Sequence, residues 1–162
     1  MTITINEANR KAQQLKLEYA RVLKEEENVR TYAHSEGEEA IIQEYDFGKT
    51  QEKLKSINDK IAQIRHAVSQ FNVSTKVQGM NITVDEALVR ITMLSGMKKR
   101  LDEMMLIPEV ERLNNFRTVD IIHRNFDPDE VQKEADQVTN ELNRMRAALD
   151  LTNLVSTIDI DL

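Results

Sequence analysis

Cysteine is missing from all 162 residues, which excludes disulfides, thiolate metal sites and a cysteine nucleophile. Tryptophan is absent as well, and there are only four glycines and two prolines. So little punctuation leaves room for few turns and favours long helices. The longest apolar run is the four residues Met104-Met105-Leu106-Ile107, far short of the ~20 that span a bilayer. A basic surplus is lacking too. With a formal net charge of -6, no general affinity for nucleic acid is expected, because phosphate binding needs a basic surface. The first residues carry neither a basic nor an apolar segment, so no secretory signal is expected and a cytoplasmic protein is the default. No glycine-rich phosphate loop occurs, and no cofactor is expected.

What is present is charge and repetition. Charged residues make up 31% and apolar ones 40%, the balance of helices with one buried and one solvated face. Ile3-Thr4-Ile5-Asn6-Glu7-Ala8 returns about eighty residues later as Ile82-Thr83-Val84-Asp85-Glu86-Ala87. Ile41-Ile42 with Phe47 returns as Ile121-Ile122 with Phe126. Ile64-Arg65 with Asn72 and Thr75 returns as Met145-Arg146 with Asn153 and Thr157. Matches in the same order at nearly the same offset predict a single domain over 1–162, made of two structural repeats, about 1–80 and 81–162.

Each repeat contains two apolar stripes. A first helix is predicted from Thr4 to near Ser35, with Ala8, Ala12, Leu15, Tyr19, Val22, Val29 and Ala33 spaced alternately four and three. Thr4 and Glu7 form a capping box at its start. Leu54, Ile57, Ile61, Ile64, Val68 and Phe71 mark a second helix. Extended pieces at 73–77 and 80–83 flank a turn at Gln78-Gly79 and read as a small hairpin. Thr83 and Glu86 repeat the capping box before a third stripe, Ala87, Ile91, Leu94, Leu101 and Met105, which Pro108 kinks or restarts. Residues 117–122 read as extended. Asp127-Pro128-Asp129-Glu130 is a strong helix start, and Val131, Ala135, Val138, Leu142, Met145 and Leu149 follow it. Residues 155–160 alternate like a strand.

The fold class is therefore mainly α. Two duplicated long helical hairpins are expected to form a four-helix, coiled-coil-like bundle with short β-strands at the ends. The segments between paired helices differ in charge. The one near 38–47 is acidic through Glu38, Glu39 and Glu44, and the one near 116–126 is basic through Arg117 and Arg124, with Arg112 just before it. Opposite charge favours their contact, within one chain or across a subunit boundary.

Four sets of short motifs stand out: Glu36-Gly37-Glu38-Glu39; Asn72 with Thr75, Gly79, Ile82-Thr83, Glu86-Ala87-Leu88 and Arg90; Thr118-Val119-Asp120 leading to Gln132-Lys133-Glu134-Ala135-Asp136; and Asn153 with Thr157. Together they resemble a small bacterial family, largely uncharacterised, whose members are sometimes labelled septicolysin. The chain departs from that pattern at 121–127, which is inserted before the last helix, and its ending is longer. The resemblance implies a long-helix bundle that oligomerises and has no agreed activity. The label itself implies membrane damage.

Candidate chemistry is sparse. His34, His66 and His123 lie on different elements, and none belongs to a Glu-x-x-His pair. Acidic runs at 25–27 and 36–39 read as solvated faces, and Asp127, Asp129 and Glu130 as a cap, so no metal site is expected. Ser95-Gly96-Met97-Lys98 has the Ser-x-x-Lys spacing without its companion motifs, so no catalytic residue is assigned. Gly96 instead suits a close helix approach. Glu26 and Lys98 interrupt apolar stripes and must be paired or exposed. The basic connection offers the one ligand-binding set, Arg112, Arg117, His123 and Arg124, suited to an anion.

The resulting reading is a non-catalytic interaction or scaffolding protein. It self-associates as a homo-oligomer, a dimer or higher, and holds a possible protein partner, with no nucleic acid and no membrane expected. The alternatives are a membrane-active, lysin-like protein using 97–110, and a binder of a small anionic ligand at the four basic residues.

Overall fold

In a computed structural model, which describes residues 1–161, the chain is mainly helical with short antiparallel strands. The order is β1 (Thr2–Thr4), α1 (Ile5–Val29), α2 (Phe47–Ser74), α3 (Val84–Met105), β2 (Val110–Asn114), β3 (Val119–His123), α4 (Pro128–Val155) and β4 (Thr157–Asp159). Two compact units divide it: residues 1–72 together with the chain from 153 onward, and residues 73–152.

In the first unit, Thr4 caps α1. Its Oγ1 accepts from the Glu7 amide at 3.2 Å, while Glu7 Oε2 accepts from the Thr4 amide at 2.8 Å. These bonds occupy orphan donors of the first turn. They hold the Glu7 carboxyl below its usual range, chiefly through the Thr4 amide and then its hydroxyl. The first helix is shorter than its sequence suggests. It ends at Val29, where the Arg30 amide donates to the Glu26 carbonyl at 2.8 Å. Glu25, Glu26 and Glu27 lie against the negative end of the helix dipole with no basic residue inside the last turn. Beyond them, residues 31–39 are all exposed, so Ala33 has no core to continue the stripe.

Asp46 starts α2, its Oδ1 accepting from the Lys49 amide at 3.0 Å. The two helices pack antiparallel. Ala8 and Ala12 of early α1 cluster with Ile64 and Val68 of late α2, and Val22 of late α1 meets Leu54 and Ile57 of early α2. The small Ala8 and Ala12 leave room for Ile64, which is fully buried. β4 closes this end: Ile3 pairs with Ile158, the Ile5 amide donates to the Ser156 carbonyl at 3.3 Å, and Ile160 joins the core.

In the second unit α2 runs further than expected, through Ser74, so residues 73–77 do not form a strand. A single antiparallel bridge, Lys76 to Thr83, flanks a turn in which the Met80 amide donates to the Val77 carbonyl at 3.0 Å. Gly79 supplies the positive φ of 74° that this turn requires. Thr83 caps α3 through the Glu86 amide at 3.2 Å, but the reciprocal half of the box is absent. The Glu86 carboxylate turns to Arg90 at 2.6 Å instead. Pro108 neither kinks nor restarts α3. The helix stops at Met105 with Leu106 as C-cap, and the proline lies beyond it. Gly96 is not a contact point between helices either, since nothing lies within 4 Å of where its Cβ would sit. The fourth helix begins as its sequence predicts, with Asp127 Oδ1 accepting from the Asp129 amide at 2.9 Å.

Candidate interaction surface

The basic connection is a β-hairpin. Residues 117–122, expected to be one extended piece, supply β3, and β2 precedes it unannounced. Their antiparallel register runs from Val110 opposite His123 to Asn114 opposite Val119. The tip is closed by the Asn115 amide donating to the Thr118 carbonyl at 2.9 Å, and the base by the Arg124 amide donating to Glu109 at 2.9 Å. All ten strand residues are exposed, among them Val110, Leu113, Val119, Ile121 and Ile122.

Facing residues of a ladder share a side. One side therefore carries Val110, Arg112, Asn114, Val119, Ile121 and His123, and the other Glu111, Leu113, Asp120 and Ile122. The first is apolar and cationic, the second apolar and anionic. Of the four residues proposed for an anion, Arg112 and His123 come together on the cationic side. Arg124 is at the base, its guanidinium 5.6 Å from the centre of the Phe126 ring. Arg117 is in the tip. The tip stands four ladder steps from His123, roughly 13 Å at ~3.3 Å per residue. The four residues thus line a ribbon and do not converge on one point.

In the first unit, residues 31–48 contain Glu36, Glu38, Glu39, Glu44 and Asp46 and no lysine or arginine. Residues 31–46 lie outside helix and strand. Here Ile41 is 88% and Ile42 65% exposed, and Phe47, the first residue of α2, is exposed as well. A turn at its start places the Glu38 amide on the Ser35 carbonyl at 3.1 Å. At its end the Tyr45 hydroxyl donates to Glu26 Oε1 at 2.6 Å.

The other candidates have structural partners. Glu26 holds Tyr45, and Lys98 reaches Asp102 at 2.6 Å, so both stripe interruptions are paired. Ser95 donates to the Ile91 carbonyl at 2.7 Å and accepts from Arg146 at 3.2 Å, away from Lys98. His34 and His66 are exposed. Among the described residues, no three His, Asp or Glu side chains gather as a metal set, and no helix is long and apolar enough to cross a membrane.

One cleft escaped the sequence reading. Asn9, Gln13 and Lys16 of α1 face Arg65, Ser69 and Asn72 of α2 across a floor of Ala12, Ile64 and Val68, enclosing about 330 Å³. Both polar sets step four and three along their helices, beside the apolar stripes, and that spacing was the available signal.

Neither a protein-family model nor a curated protein matches the chain. It is similar in structure to a functionally unknown conserved protein from Corynebacterium diphtheriae, seen in a crystal structure. The match covers 98% of this chain and 100% of that one, with a TM-score of 0.74 and 15% sequence identity. A likeness at that identity extends to the fold.

Proposed function

We propose that this protein is a non-catalytic interaction protein that self-associates, a homodimer being the simplest form. The bare β2–β3 hairpin carries the reading. A two-stranded ribbon is marginal in water unless a third strand or another element covers it, and contiguous exposed apolar surface marks interaction sites. Val110, Val119 and Ile121 are exposed on one side of the ribbon and Leu113 and Ile122 on the other, and Ile41 and Ile42 are exposed as well.

The internal duplication, and closure of its two hairpins into one four-helix, coiled-coil-like bundle, belong to the same proposal. Burial at matching positions supports duplication: Ile5 with Val84, Ala8 with Ala87, Val22 with Leu101, Ile57 with Val138, and Ile64 with Met145 are all buried. So do two matching hydrogen bonds, Ile5 amide to Ser156 carbonyl and Val84 amide to Thr75 carbonyl. Membership of the septicolysin-like family stands as part of this proposal, on the motifs quoted above.

Sedimentation equilibrium over a hundredfold range of concentration tests the reading. A discrete oligomer is the expected result, and a monomer throughout would overturn it. Leakage from anionic liposomes at micromolar protein would favour the membrane-active alternative instead.

A further inference from the structure

The hairpin and the acidic segment complement each other in charge and in hydrogen-bonding capacity. Resting on the self-association proposed above, we infer that residues 38–45 of one copy add as a third, antiparallel strand along β3 of a second copy, reciprocally, in a two-fold dimer. Among the described residues β3 pairs only with β2, so its outer edge presents backbone donors and acceptors outside any ladder to an incoming strand. Residues 38–44 lie in neither helix nor strand, and all but Ala40 are exposed. Their backbone groups are absent from the strand ladders, and Ile41-Ile42 suits a strand.

One register satisfies the side chains. Placing Ile42 opposite Ile121 puts Ile41 opposite Ile122, on alternate faces of the ribbon. It brings Glu39 opposite Arg124 and Ala40 opposite His123. Glu44 then falls beside Val119 on the side that carries Arg112, and Asp46 approaches Arg117 at the tip. Directly opposed ion pairs and β-branched pairs are what stabilise a ladder. The acidic segment has no cation of its own between 31 and 48, and the cationic side of the hairpin, Val110, Arg112, Asn114, Val119, Ile121 and His123, has no acid. Both halves of the contact belong to one sequence, so a two-fold axis produces it twice and closes the assembly.

The absence of cysteine makes the test direct. Two differently tagged full-length chains are co-expressed, one carrying Ile42→Cys and the other Ile121→Cys, and oxidised mildly. Opposed positions lie close enough for a disulfide, so a covalent dimer containing both tags is expected on a non-reducing gel. Either variant alone should stay uncrosslinked. A discrete oligomer without the cross-chain disulfide would overturn this pairing and leave self-association standing. A monomer by sedimentation would overturn both. Charge reversal gives an independent readout: Glu39→Arg or Arg124→Glu alone should weaken the dimer roughly tenfold, and the two together should restore it. Failure of the double variant to recover, with its far-ultraviolet spectrum unchanged, would also sink the register.

Discussion

Thr152 Oγ1 accepts from the Gln78 amide at 2.9 Å and donates to the Ala148 carbonyl at 2.8 Å, joining the last turns of α4 to the Val77–Met80 turn. Thr152 is 3% exposed, and both capacities of its hydroxyl are used. Thr152→Val preserves the shape and removes the acceptor. The stranded amide should cost about 1–3 kcal/mol, read as a lower urea midpoint with an unchanged slope. Thr152→Ser should recover most of the loss. A Thr152→Val protein as stable as wild type would show that water replaces the hydroxyl.

The Tyr45–Glu26 bond predicts a pH dependence at the alkaline end. Donation to the Glu26 carboxylate raises the Tyr45 hydroxyl above its usual 10.0, with desolvation and the charge of Glu26 adding to the effect. A raised folded-state value means the bond's contribution is complete below pH 10 and lost as pH climbs through the folded value. Titration by tyrosinate absorbance should show a late component, and Tyr45→Phe should remove it. Glu7 works in the opposite direction. Its depressed value makes the contribution complete above its ordinary 4.5 and lost as pH falls further. Glu7→Gln should therefore flatten the acid limb of the stability curve and leave the alkaline limb alone.

Much of the core was legible because helix stripes are local. On α4, Val131, Ala135, Val138, Leu142, Met145 and Leu149 are all buried as their spacing predicts, and on α2 so are Leu54, Ile57, Ile64 and Phe71. Caps were legible for the same reason, down to Thr4, Thr83 and Asp127. β2 was not. Both faces of the hairpin mix apolar and charged residues, so Val110-Glu111-Arg112-Leu113-Asn114 lacks the alternation that marks a half-buried strand. The end of α1 was missed because Ala33 extends the stripe beyond Val29, after its partner surface has run out, and spacing alone cannot see the partner. The placement of the four basic residues along a ribbon depended on a register that only the pairing of β2 with β3 fixes.

Ile64 and Ile41 separate folding from association. Ile64 is fully buried between Ala8 and Ala12, and Ile64→Ala should cost about 2–5 kcal/mol. Ile41 is 88% exposed, so Ile41→Ser should change monomer stability by no more than about 0.5 kcal/mol. It should nevertheless raise the dimer dissociation constant in sedimentation experiments. Equal effects of Ile41→Ser on chemical unfolding and on association would place Ile41 in the fold and remove it from the interface.

Gly79 and Gly96 invite opposite responses to the same substitution. At neither position would a Cβ meet an atom within 4 Å, so space does not decide the outcome and the backbone does. Gly79 has φ at 74° in the turn before Thr83, where an L-residue costs roughly 1–2 kcal/mol. Gly96 lies inside α3 with no positive φ. There alanine restricts the unfolded chain and favours the helix by about 0.4–1 kcal/mol. Gly79→Ala should therefore lower the melting temperature and Gly96→Ala raise it, in otherwise identical buffers. A loss at Gly96 as well would mean that another surface, absent from the isolated chain, packs against that turn of α3.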